Sequence, residues 1–420
     1  MTETSCSCPE FAAGALSRRG FLRGIGLAGT AYAVGSAMVT YGAAPATAAA
    51  GPSLSGSVLV VLSLRGAADG LSLVVPHADP AYYAARPHIA VPANRLLAKD
   101  GFFGLHPSLA PLVPMWNAGK LAAVHATGLP VANRSHFAAM EAVEDANPGS
   151  TERVGWLNRL LGTDATRSPL QGLSVGGSVP AALYGPEPVM AFSSLQNATV
   201  SGDDEWDPNH DRIRSLNAMW GGSGSPLATG VRSAMQAVRD LGPAKDQRDA
   251  SSSYPDNDLG HALADVARTL RGDVGVSLVT VDQGDWDMHT GLGTLEWGDM
   301  IGNAGDLASA IAAFFTDLGP VADRVTLVTI SEFGRRVAEN ANYGLDHGWG
   351  NVMFLAGAGV KGGRYYGTWP GLTNSLDADL TVTTDYRSVL AEVVAARTGA
   401  STATVFPGFT RERIGVMLGQ

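Results

Sequence analysis

Asp282, Asp285, Asp287 and His289 fall within eight residues of one another in "VDQGDWDMHTG". Carboxylates and an imidazole on one short loop are the donors that a divalent cation takes. Three carboxylates so close repel one another unless a cation lies among them, so this loop is the strongest metal-site signal in the chain. Further on, Glu332 is the first charge after an apolar run, and Asp346-His347 stands among glycines in "GLDHGWG". An imidazole in such a turn is placed for ligation, whereas a core histidine more often stands in a periodic apolar stretch.

Other residues have two readings. Asp69 in "RGAADGLS" fits a cation ligand, or a turn aspartate accepting backbone N–H groups. Ser135, just before a helical stretch that contains Glu141, fits an N-cap. It also fits a nucleophile, because a helix amino terminus stabilises an oxyanion, and Arg134 and His136 beside it suit anion chemistry. Arg335 and Arg336 read as a solvated helix start or as an anion clamp.

The elements that must carry these groups are five short aliphatic runs, at 57–64, 120–127, 276–281, 324–330 and 351–360, each reading as a buried strand. Helical patterns lie between them, clearest from Asp299 to Leu318, where Ile301, Leu307, Ile311, Phe314, Phe315 and Leu318 recur before a Gly319-Pro320 stop. Alternating strands and helices predict an α/β fold, a mostly parallel central sheet with helices on both faces. Ligands of such sheets sit beyond the carboxyl ends of the strands, so candidates after successive strands converge. The segment 195–260 breaks the rhythm with "SGDDEWDPNHD" and a polar run, and reads as an insertion or cap whose second half is a surface linker.

The first fifty residues carry "SRRGFLR", a Gly/Ala-rich apolar stretch and "PATAAAG", the layout of a twin-arginine signal peptide cleaved after Ala48 or Ala50. Residues 51–420 then form one domain, exported to the periplasm, the cell wall or the medium, with the twin-arginine translocase as a partner and no stable membrane span after cleavage. Cleavage leaves 26 basic against 37 acidic side chains, a net charge of about −11. That balance argues against nucleic acid as a partner. Both cysteines, Cys6 and Cys8, leave with the signal, so metal ligands must be His, Asp and Glu.

The stretches "LRGAADGLSLVVPH", "RSHFAAMEAVE", "GDWDMHTG", "SEFGRRVAEN", "GLDHGWGNVMFLAGAGVKGG" and "TTDYRSVLAEVV", in this order, resemble the exported bacterial family known as domain of unknown function 1501. More widely the chain resembles the alkaline phosphatase and sulfatase superfamily, whose members hydrolyse or transfer phosphate and sulfate esters at a metal site on a parallel sheet. The resemblance places Asp69, Ser135, Asp285 with His289, and His347 at the superfamily's positions, while the closer family's Trp-Asp-x-His loop points to Asp287 as much as to Asp285. The superfamily's Thr-(Ser/Ala)-Asp-His-Gly is here Thr329-Ile330-Ser331-Glu332-Phe333-Gly334, one carboxylate without its imidazole, so a second metal lacks a ligand unless His136 supplies it. "RSHFAA" is not the formylglycine sulfatase signature.

These readings imply an exported hydrolase of phosphate-type or sulfate esters, small or polymeric, that uses Ser135 and a divalent metal: zinc first, with manganese, magnesium or calcium as alternatives. The rival expectation is a non-catalytic binding or secretion-associated protein that keeps the fold with an incomplete site.

Overall fold

The computed structural model describes residues 30–34, 37–41, 54, 56–165, 168–176, 178–203 and 206–420. The expected signal peptide otherwise lies outside the described residues, as do Asp204 and Glu205 of the acidic aromatic patch.

The strands, in chain order, are β1 (Thr30–Val34), β2 (Ala37–Tyr41), β3 (Val58–Leu64), β4 (Val74–Val75), β5 (Gly104–Leu105), β6 (Leu121–Gly128), β7 (Gly172–Val175), β8 (Val189–Phe192), β9 (Leu278–Gln283), β10 (Val325–Ile330), β11 (Asn351–Gly357), β12 (Arg364–Tyr366) and β13 (Thr384–Asp385). All but β4 and β5 join one sheet in the order β1-β2-β8-β7-β9-β3-β10-β11-β6-β12, with β13 also on β6. From β8 to β10 every pairing is parallel, and β11 runs antiparallel to both its neighbours. Each of the five predicted runs is a strand here. The short β7 and β8, and the β1–β2 hairpin that covers the edge of β8 from within the expected signal segment, were not foreseen.

β3 shows why the central strands are apolar throughout. Val58, Val60, Leu62 and Leu64 enter the core on one face, Leu59 and Val61 the core on the other. Helices Asp258–Arg271 and Asp299–Leu318 cover the first face through Leu263, Val266, Leu307, Ile311 and Phe314. Helix Tyr386–Arg397 and part of His136–Asp145 cover the second through Val389, Val393, Ala139 and Val143. Each buried Val, Leu, Ile or Phe among them contributes about 1.5–3 kcal/mol. Asp299–Leu318 has the predicted bounds, with Ile301 and Phe315 half-buried at the margins of the stripe.

Within 195–260 lie helices Asp211–Trp220 and Pro226–Asp240, the second resting on the β1–β2 hairpin. The expected surface linker after them is tied down. Tyr254 is buried and donates to Asp317 Oδ2 at 3.0 Å, and Arg248 meets the same carboxylate at 2.9 Å. Among the described residues no helix is long and apolar enough to cross a membrane.

Register levels the strand ends. Ser63 on β3 stands opposite both Ile330 on β10 and Asp282 on β9, so the segments after these strands leave the sheet at one height. β6 runs parallel to them across antiparallel β11, which therefore begins at the same edge.

Candidate metal centre

After β9 the chain continues through Trp286-Asp287-Met288-His289. Trp286 and Met288 are buried in the core, which turns Asp287 and His289 the other way. Gly66, after β3, lets this loop close in: at φ +107° it lies against Asp287, where a Cβ would stand 2.6 Å from the Asp287 nitrogen. His136 is the first residue of helix His136–Asp145. His347 is bridged to Arg335 in the turn before β11, and a Cβ on the next residue, Gly348, would come within 2.3 Å of the Arg335 carbonyl carbon.

These segments bring three imidazoles and one carboxylate together. His136 Nε2 and His289 Nε2 lie 3.0 and 2.9 Å from His347 Nε2. Asp287 Oδ1 is 3.2 Å from His289 Nε2 and 3.4 Å from His347 Nε2, and its Oδ2 is 3.7 Å from His136 Nε2. The far nitrogen of every ring meets an acceptor: His136 Nδ1 faces Glu332 Oε1 at 2.9 Å, His289 Nδ1 faces Asp346 Oδ1 at 3.1 Å, and His347 Nδ1 faces the Arg134 carbonyl at 3.0 Å. Those acceptors draw the ring protons outward and turn three Nε2 lone pairs inward. Facing lone pairs at 3 Å repel unless a cation or a proton lies between them. Four donors around a zinc ion stand ~3.3 Å apart at bond lengths of ~2.0–2.1 Å, close to the spacings given; His136, Asp287 and His347 form the tight group, with donor atoms all within 4.8 Å of one another, and His289 joins it through His347 and Asp287. The donor set therefore fits a divalent metal, and its three imidazoles favour zinc or another borderline ion over magnesium or calcium.

Where a proton rather than a cation fills the inward space, the rings donate to Asp287: burial would raise its carboxyl, but hydrogen bonds from His289, His347 and Arg335 hold it far below the ordinary range. The hydrogen bond with Asp287 in turn raises His289. For Glu332 burial is outweighed by the hydrogen bonds of His136 and the Gly66 N–H, which hold it low. The cluster opens on one side, with His136 8 % exposed but His347, Asp287 and His289 19, 21 and 30 % exposed.

The family described as a protein of unknown function, DUF1501, matches residues 57–391. The chain belongs to DUF1501. No curated protein matches it. Among solved structures, the DUF1501 chain is similar to the C-terminal periplasmic domain of EcEptC from Escherichia coli in a complex with Zn. That match has 10 % identity and a TM-score of 0.32, covering 78 % of this chain and 77 % of that one. A second likeness is to Ps i-CgsB, at 8 % identity and a TM-score of 0.33, covering 84 and 74 %.

The structure sorts the remaining candidates of the DUF1501 chain. Asp285 has φ +65° and its carboxylate faces away from the cluster, so Asp287 is the loop's inward carboxylate. Asp69 does not join. It caps the helical turn Gly70–Leu73 and takes a bidentate grip from buried Arg86, at 2.5 and 3.0 Å. That pairing holds Asp69 below its ordinary pKa against the effect of burial. Glu332 and Asp346 stand behind His136 and His289 as ring acceptors rather than among the inward atoms. Arg335 is not placed as an anion clamp. It is buried, and it donates to the carbonyls of Gly66, Ala67, Trp286 and Leu345 and to Asp287 Oδ1, the last at 2.6 Å. Ser135 occupies the N-cap of His136–Asp145 with an exposed hydroxyl that makes no capping bond. The sequence reading missed Arg86, and it missed Asn340, which donates to the His289 carbonyl at 2.8 Å and to Asp346 at 3.3 Å.

Proposed function

We propose that the protein is an exported, metal-dependent hydrolase of phosphate-type or sulfate esters, with Ser135 as the attacking hydroxyl. The observation that carries this reading is the inward convergence of three Nε2 atoms and the Asp287 carboxylate, each backed by its own outer partner. His136, His289, His347 and Asp287 would hold the ion, which when bound supplies a Lewis acid for an ester oxygen. Glu332, Asp346 and the Arg134 carbonyl fix the rings, and Arg335 fixes Asp287. Ser135 brings a hydroxyl with no capping bond to a ten-residue helix terminus, where the unpaired N–H groups favour a developing oxyanion. The open side of the cluster gives an ester access.

A second reading has its own support. Four protein donors suffice to fill a tetrahedral ion, as in a structural site, and neither Asp69 nor Glu332 is free to complete a second metal set. The chain would then be a binding protein built around one ion.

Elemental analysis of the folded protein, with nitrophenyl phosphate, bis-nitrophenyl phosphate and nitrophenyl sulfate assays on wild type and Ser135→Ala, separates the two. Stoichiometric metal with turnover that Ser135→Ala abolishes supports the hydrolase. Metal without turnover supports the binding protein, and absence of metal refutes both.

A further inference from the structure

A cavity of about 410 Å³ lies between the segments 84–88, 338–343 and 374–376. Its size is that of a pocket for a small organic ligand. Four alanines, Pro87 and the exposed Leu376 give it an apolar lining. The imidazole and the carboxylate in that lining are spent on each other: His88 Nδ1 meets Glu339 Oε1, while Glu339 Oε2 accepts the N–H groups of His88 and Ile89 at 3.0 and 2.9 Å. Among the described residues neither lysine, arginine nor aspartate lines it. The polar groups left over are the Tyr343 hydroxyl and the Asn374 amide, which meet no hydrogen-bond partner among the described residues. So few orienting groups in an uncharged lining suit an apolar ligand, whereas a sugar would leave most of its hydroxyls unpaired.

Tyr343 gives an independent sign. Its φ of +54° is a left-handed backbone that bulky side chains rarely adopt, and the turn is tied to hold it there. Asn340 Oδ1 accepts the N–H groups of Asn342 and Gly344 at 2.9 and 3.2 Å, and the Gly293 N–H donates to the Tyr343 carbonyl at 3.1 Å. The ring so fixed is presented, not buried. It is 41 % exposed, with its centroid 5.5 Å from that of His88 and 5.3 Å from that of Trp297, which is itself 48 % exposed. Aromatic rings locked edge to face in this way form a rigid platform for another ring.

The same turn reaches the metal centre. Asn340 Nδ2 donates to the His289 carbonyl at 2.8 Å. Gly344, one residue after Tyr343, lies so close that a Cβ there would stand 2.1 Å from that carbonyl oxygen. His289 is also the most exposed of the four inward groups, so the cluster is most open towards the segment that this turn holds. We infer that the cavity binds the alcohol part of the ester, and that this part is an uncharged aromatic ring. The inference rests on the hydrolase reading for the word ester, but the binding can be measured alone.

The test uses the folded full-length protein and three phosphonates with the same anionic head, benzylphosphonate, methylphosphonate and glucosylmethylphosphonate, compared by calorimetry. Benzylphosphonate should bind about tenfold or more tightly than either of the others, since only its ring fills the cavity. Tyr343→Ala, which removes the platform, and Ala341→Phe, which occupies the cavity, should each reduce that preference to about threefold or less with metal content unchanged, while Tyr343→Phe keeps it. Equal affinity for the benzyl and methyl compounds, tighter binding of the glucosyl compound, or a preference untouched in both Tyr343→Ala and Ala341→Phe would overturn the inference. Should one of these variants misfold, the other and the three probes on wild type still decide. If no phosphonate binds, the hydrolase reading fails, and NMR titration with benzyl alcohol then tests the cavity alone: shifts at Tyr343 and Trp297 uphold it, and their absence overturns it.

Discussion

Glu332 separates the two ways of reading the site, because the sequence offers it as a ligand and the structure puts it one atom further out. Its Oε1 accepts from the Gly66 N–H and from His136 Nδ1, both at 2.9 Å, and the Ser331 hydroxyl donates to its Oε2 at 3.1 Å. In Glu332→Gln an amide oxygen can keep both Oε1 contacts, so the ring orientation survives, while the charge is lost and the amide NH2 can no longer accept from Ser331, whose hydroxyl keeps the Leu64 carbonyl as acceptor. A hydrogen bond to a charged group contributes about 1.5–3 kcal/mol and a neutral one about 0.5–1.5, so the change should cost about 1–1.5 kcal/mol of metal binding. That is roughly tenfold in Kd. Glu332→Ala removes the acceptor as well and should cost close to 100-fold, the upper range for an outer partner. His136→Ala, which removes a donor, should cost more than either. Chelator competition at fixed neutral pH, read with elemental analysis after dialysis, gives all three values. If Glu332→Gln strips the metal as completely as His136→Ala, then Glu332 is itself a ligand. If Glu332→Ala leaves Kd unchanged, the orienting role is refuted.

Asp69→Asn should leave metal stoichiometry intact but destabilise the fold by about 3–5 kcal/mol, since it strands the buried Arg86 guanidinium, as denaturant melts will show. Its folded pKa is depressed, so its contribution is present above the unfolded value of about 4 and is lost as pH falls through the lower folded value. Acid unfolding of the variant should accordingly be flatter in that window. Arg335→Lys keeps the charge yet cannot reach the carbonyls of Ala67, Trp286 and Leu345 together, so thermal melts should show a loss of about 3 kcal/mol and weaker metal retention. Zinc occupancy should fall as pH drops, because protons compete with the ion for imidazole nitrogen. The raised His289 starts that competition at higher pH, so zinc added to the apoprotein should release protons that a pH-stat can count.

The strand ends were legible because an unbroken aliphatic run followed by a charge has few other physical meanings. β7 and β8 were not, being four residues each among glycines, prolines and bends. The antiparallel course of β11 could have been read. Arg335 and Arg336 read as a helix start, but no apolar period follows them in the twenty residues between Ile330 and Asn351, and a parallel return needs a crossover. Choosing Asp287 over Asp285 was beyond the sequence. Simple alternation sends both to the same side as His289, and what separates them is the left-handed backbone at Asp285, which few non-glycine residues adopt. The fate of Asp69 depended on Arg86, and no local spacing predicts a partner seventeen residues along.

The inward nitrogens belong to segments that meet only in the finished fold: His136 and His347 are 211 residues apart, and His289 and His347 are 58 apart. An unfolded chain would have to close loops of that length before it could offer two of these nitrogens to one ion. On the metal-site reading the protein would fold first and then choose, so the ion taken up would be set by the compartment in which folding ends. Once seated, that ion cross-links three distant stretches of chain, and its removal should loosen them together.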